Sequence, residues 1–62
     1  MSDLKQLVEK YEELLTLVES LRADVVKHAA GNKTAGLRVR RGLRDAKKMS
    51  SDIVRESVEL SK

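Results

Sequence analysis

The sequence predicts an all-α fold, an antiparallel two-helix hairpin with helices over about 3–29 and 33–60 that dimerises into a four-helix bundle. Three observations carry this expectation. The 62 residues include no proline and only three glycines, so little in either half opposes a helix. Apolar side chains recur at alternating steps of three and four through both halves, the period of one helical face. Between the halves stand Gly31 and Asn32: glycine accepts the left-handed conformation that ends a helix, and asparagine can cap the next one.

In the first helix Leu4, Leu7, Tyr11, Leu14, Val18, Leu21, Val25 and His28 form an uninterrupted heptad seam of coiled-coil type. Ser2 or Asp3 is suited to cap its start, and Asp3 also complements the positive end of the helix dipole. Val8, Leu15, Leu17 and Val26 lie beside the seam and widen it beyond a two-stranded stripe. The short turn predicts that the second helix returns antiparallel. Its seam is Gly36, Val39, Leu43, Ala46, Ser50, Ile53, Ser57 and Leu60. These are mostly small residues, which allow close backbone approach but bury little area, so the second helix is expected to lean on the first.

A chain this short buries too little surface to be comfortably stable alone, and without cysteine no disulfide can staple it. One hairpin would also leave Val8, Leu15 and Leu17 in water. Association with a second copy answers both problems, with Leu7, Val8, Tyr11, Leu14, Leu15, Val18 and Leu21 as the oligomerisation residues. A homodimer is the expectation, and a tetramer would cover the same flank.

The net charge of +3 is modest, but its distribution is not. Within 33–48, Lys33, Arg38, Arg40, Arg41, Arg44, Lys47 and Lys48 face only Asp45, whereas 1–30 carry more acidic than basic side chains. At 100° per residue, Lys33, Arg40, Arg44, Lys47, Lys48, Ser51 and Arg55 gather on one side of the second helix, with Arg41 at the edge and Arg38 on the other shoulder. Charge runs on helices are often only solvated faces. Here the arginine content favours an anion-binding role, because guanidinium groups grip phosphate oxygens in a bidentate manner. Duplex nucleic acid is the fitting polyanion. The lone aromatic, Tyr11, offers no stacking platform for unpaired bases. No asparagine or glutamine stands in the ridge to read adenine.

Enzymatic chemistry finds no support. Glu12 and Glu13 are helical neighbours that point about 100° apart and form no carboxylate dyad. His28 reads as a packing residue or a partner of the helix C-terminus, and the serines at 50, 51, 57 and 61 as small seam or surface residues. One histidine without cysteine builds no conventional metal cage, and no cofactor or small-molecule substrate is expected. The first fifteen residues alternate charge with leucine and valine and resemble neither a leader nor a membrane span, so a cytoplasmic location without membrane partners is expected.

The segment Gly31-Asn32-Lys33-Thr34-Ala35-Gly36-Leu37-Arg38-Val39-Arg40-Arg41, followed by Lys47-Lys48, resembles the helical part of the chlamydial histone-like nucleoid proteins and their bacterial relatives. The likeness covers residues 31 to about 57, and the preceding helix matches in character only. It implies DNA compaction in the nucleoid, with contacts from Lys33, Arg38, Arg40 and Arg41. Chlamydial members also carry a long lysine- and alanine-rich tail like that of eukaryotic linker histones, which does not appear here. Either the folded domain binds DNA unaided or it is the oligomerising half of a longer arrangement.

Residues 1–62 are thus expected to form a single helical-hairpin domain that binds double-stranded DNA and oligomerises. An RNA duplex presents similar phosphates and is a second nucleic-acid candidate. The rival expectation is a self-association or protein-interaction module whose arginines only keep it soluble.

Overall fold

The computed structural model describes residues 2–61, with side chains from Leu4 onward. Helix α1 covers Ser2–Ser20, α2 covers Arg22–Ala29 and α3 covers Lys33–Leu60. The first two form one bent rod, and α3 packs back along both. The resulting hairpin measures 46 × 15 × 11 Å. The capping expectation for Ser2 and Asp3 falls on side chains outside the described ones.

The continuous first helix of the sequence reading is broken at Leu21, and the break has a local cause. The Ser20 hydroxyl donates to the Leu17 carbonyl at 2.6 Å, a back-bond that bends helices. The Leu21 N–H then reaches only three residues back, to Val18 at 3.1 Å, before regular spacing resumes with Val25 N–H on the Leu21 carbonyl at 2.9 Å. The turn follows the expected chemistry. Gly31 takes φ +104°, Gly31 N–H donates to His28 at 2.9 Å, and Asn32 N–H donates to Lys27 at 3.0 Å. This hydrogen-bond pair is the Schellman stop. Asn32 Oδ1 then accepts from Ala35 N–H at 2.9 Å and caps α3.

Both seams are rotated from the expected phase. On α3 the buried residues are Ala35, Gly36, Val39, Gly42 and Ala46, continued by half-buried Met49, Ile53 and Glu56. Leu43, Ser50, Ser57 and Leu60, expected on the seam, are exposed. The inward glycines explain the shift, because each is a seat for a side chain of the opposite rod. A Cβ on Gly42 would stand 2.5 Å from Leu21 Cδ2, and one on Gly36 would stand 2.6 Å from the His28 ring. Counting apolar side chains could not weigh a position whose contribution is the absence of one.

On the first rod Leu21 is buried, and Leu7, Leu14, Leu17 and Asp24 are half-buried. Leu17 therefore belongs to the hairpin contact and not to the wet flank. Leu4, Tyr11, Val18 and Val25, expected in that contact, are exposed instead. The described core is small: Leu21, Ala35, Val39 and Ala46.

Ion pairs tie the two rods together. Lys10 pairs with Glu56, and Arg38 donates twice to Asp24, at 2.9 Å from Nη2 and 3.1 Å from Nε. Those hydrogen bonds from Arg38 hold the Asp24 carboxyl below its ordinary value of 3.8, against the opposing effect of desolvation. A depressed carboxyl stabilises the fold above its unfolded pKa, and that contribution is lost as pH falls through the folded value. Asp24→Asn should therefore show a shallower decline of melting temperature with acid below about pH 4. The difference should be small, because solvent reaches the Arg38 side of the pair and screens it. Parallel acid-melting curves for parent and variant, followed by circular dichroism, would show that the pair contributes nothing.

Candidate nucleic-acid interface

The buried line of α3 faces the first rod, and the opposite arc carries the cations. From Gly42 to Arg44 is 200° of helical rotation, as it is from Ala46 to Lys48. Lys33, Arg40, Arg41, Arg44, Lys47 and Lys48 are all exposed. Among the described residues none of these six is held in an ion pair. The pairs formed are Lys10–Glu56, Arg38–Asp24 and Arg55–Asp52. The six heads are thus available to an outside anion, on a helix whose start the Asn32 side chain caps.

Arg38 is placed differently. It sits on the shoulder toward α2, and its bidentate contact with Asp24 makes it part of the hairpin. Three of the six, Arg44, Lys47 and Lys48, line with Ser51, Asp52 and Arg55 an open depression of about 540 Å³ along the C-terminal half of the ridge. Ser51 and Arg55 are thereby placed with the cations. Their helical phase pointed to this, although Ser51 reads alone as an ordinary surface residue. The hydroxyls of Ser20 and Ser61 bond back to helix carbonyls at 2.6 and 2.9 Å; the Ser51 hydroxyl does not.

A second surface stands to one side of the ridge. Leu4, Val8, Tyr11, Leu15, Val18 and Val25 form an exposed stripe on α1 and α2, with the four-three spacing of a seam. Leu43 of α3 joins it: with Val18, Leu21, Arg22, Val25 and Val26 it lines a largely apolar depression of about 320 Å³. Of the expected oligomerisation residues, Val8, Tyr11, Leu15 and Val18 lie on this face. Leu7, Leu14 and Leu21 turn toward α3. The His28 ring packs over Gly36.

Among the described residues no helix is long and apolar enough to cross a membrane. A family model described as Histone H1-like protein Hc1 matches residues 8–62. No curated protein and no solved structure matches the chain.

Proposed function

We propose, for a chain that belongs to the Histone H1-like protein Hc1 family, that it binds double-stranded DNA through the phosphate backbone with little sequence preference and contributes to compaction of the nucleoid. Membership makes this a DNA-binding structural family and not an enzymatic one. The observation that carries the finer reading is the row of six unpaired cations on the arc of α3 turned away from the hairpin core. Phosphate contacts of this kind position a protein without specifying a sequence.

The binding unit in this reading is a homodimer joined through the apolar face. A compact protein of 7.0 kDa should expose about 4,000 Å² by the usual size scaling, whereas this hairpin exposes 5076 Å². The excess is comparable to the roughly 800 Å² that each partner buries in a specific interface. The stripe from Leu4 to Val25 is the surface suited to that burial. A dimer carries two ridges, the minimum needed to hold two duplex segments together or to grip one segment twice.

Salt-dependent titration against duplexes of unrelated sequence tests the reading. If six cations of one ridge each neutralise a phosphate, log affinity should fall against log salt with a slope of about −5. The slope should be nearly the same for every sequence. Absence of duplex binding at low salt would leave only a self-association module. A thousandfold preference for one sequence would point to specific recognition instead. Competition between DNA and RNA duplexes decides which polyanion is preferred.

A further inference from the structure

We infer that α3 lies lengthwise in the DNA major groove, with the Leu37 side chain against the base edges where thymine methyl groups stand. This rests on the phosphate-binding reading and adds which groove is entered and which residue meets the bases.

The ridge has an internal period of seven. Leu37, Arg44 and Ser51 follow one another at that step, and the cation doublets Arg40-Arg41 and Lys47-Lys48 repeat at the same step. Seven residues make nearly two turns, so Leu37, Arg44 and Ser51 form a crest that drifts only about 20° per repeat. Adjacent residues diverge by 100°, which places the members of each doublet about 50° to either side of the crest. The doublets are about 10.5 Å apart along the axis. The period fades at its third repeat, where Val54-Arg55 supplies one cation.

Cations on both shoulders of a crest suit a helix with a phosphate row on either side. The major groove, about 12 Å wide, admits one helix, whereas the minor groove is about 6 Å wide. The crest lies opposite the buried line of Ala35, Gly42 and Ala46, so the first rod stays behind α3 and does not obstruct entry. The apolar dimer face lies to one side and remains available.

Within the cation cluster Leu37 is the apolar residue that phosphate binding alone does not account for; Val54 and Val58 are exposed on α3 as well, but lie beyond Lys48. Leu37 is 60% exposed and lies away from the exposed apolar stripe of α1 and α2. Lys33, Arg40, Arg41 and Arg44 stand at i−4, i+3, i+4 and i+7 around it, the positions that share a helix surface. Single exposed leucines are common, but one ringed by four phosphate-seeking cations is covered whenever they bind. On the crest the short Leu37 side chain points between the two phosphate rows, whereas the longer Arg44 side chain on the same line bends aside to a phosphate. The apolar group displayed on base edges in the major groove is the thymine methyl.

The test uses the full chain and two duplexes of alternating adenine and thymine, one with uracil in place of every thymine, which removes only the 5-methyl groups. Affinity for the uracil duplex should fall roughly two- to fourfold per contacted methyl, with the salt slope unchanged. Leu37→Ala should bind both duplexes alike, while Arg40→Ala should weaken both and preserve their ratio. Prior occupation of the minor groove by netropsin should leave binding intact. The inference is overturned if the parent binds both duplexes equally, if Leu37→Ala keeps the difference, or if netropsin displaces the protein. In those cases a preserved salt slope would leave the phosphate reading standing, whereas loss of all duplex binding would remove both.

Discussion

Replacing Arg40 and Arg44 together by alanine is expected to change the salt dependence of DNA binding from a slope of about −5 to about −3.5, at near-parental helicity. Each lost phosphate contact removes close to one unit of slope. At 0.1 M salt the two together correspond to roughly 60-fold in affinity by the same relation. Both residues are exposed and neither is held in a described ion pair, so the fold loses no hairpin contact. Alanine is also the better helix former. All duplexes should be weakened alike in the counterion-dependent part of binding. A double variant that keeps the affinity and the slope of the parent would remove the ridge from the binding surface.

Arg38→Ala is a useful contrast. The same basic segment supplies Arg38, but its guanidinium is engaged with Asp24 at 2.9 and 3.1 Å. Its loss should leave the slope at the parental value and act mainly on the hairpin. Composition and helical phase place Arg38 near the ridge. They carry no information about Asp24, fourteen residues earlier, because that partner is set by how the two rods register.

The turn was legible in the sequence because its signals are local: Gly31 is read from its own backbone freedom, and Asn32 from a hydrogen bond three residues away. The ridge was legible for a similar reason, since residues on the solvent side of one helix need only that helix's period to be placed. The seams were less so. Whether α3 presents Leu43 or Gly42 to its partner depends on the fit of Leu21 into the space that Gly42 leaves, a complementarity between residues 21 positions apart. The bend at Leu21 was hidden as well, because Ser20 looks like any tolerated helical serine until its hydroxyl takes the Leu17 carbonyl. The apolar stripe was half visible. Its side chains outnumber what one helix contact needs, which the sequence shows; the structure reassigns Tyr11 and Val18 to the outer face and Leu17 to the hairpin contact.

That reassignment decides where stability and assembly separate. Leu21 is 8% exposed and fills the hollow at Gly42, so Leu21→Ala should cost on the order of 2–5 kcal/mol. Leu14, only half-buried, should cost less when truncated. Leu15 stands on the apolar face and is exposed in the single hairpin. Leu15→Glu should leave the hairpin contacts in place and disfavour pairing, because it would set a carboxylate inside an apolar interface. The two variants are distinguished by concentration. When folding is coupled to pairing, melting temperature rises with protein concentration. Parent and Leu21→Ala should both show that rise, the latter from a much lower temperature. Leu15→Glu should melt at a low temperature that no longer depends on concentration, because the described core of one hairpin, Leu21, Ala35, Val39 and Ala46, is too small to hold it alone. Sedimentation should find the parent dimeric at micromolar concentration and Leu15→Glu monomeric. A parent that sediments there as a stable folded monomer of 7.0 kDa, with melting independent of concentration, would show that the apolar face is not where two copies meet.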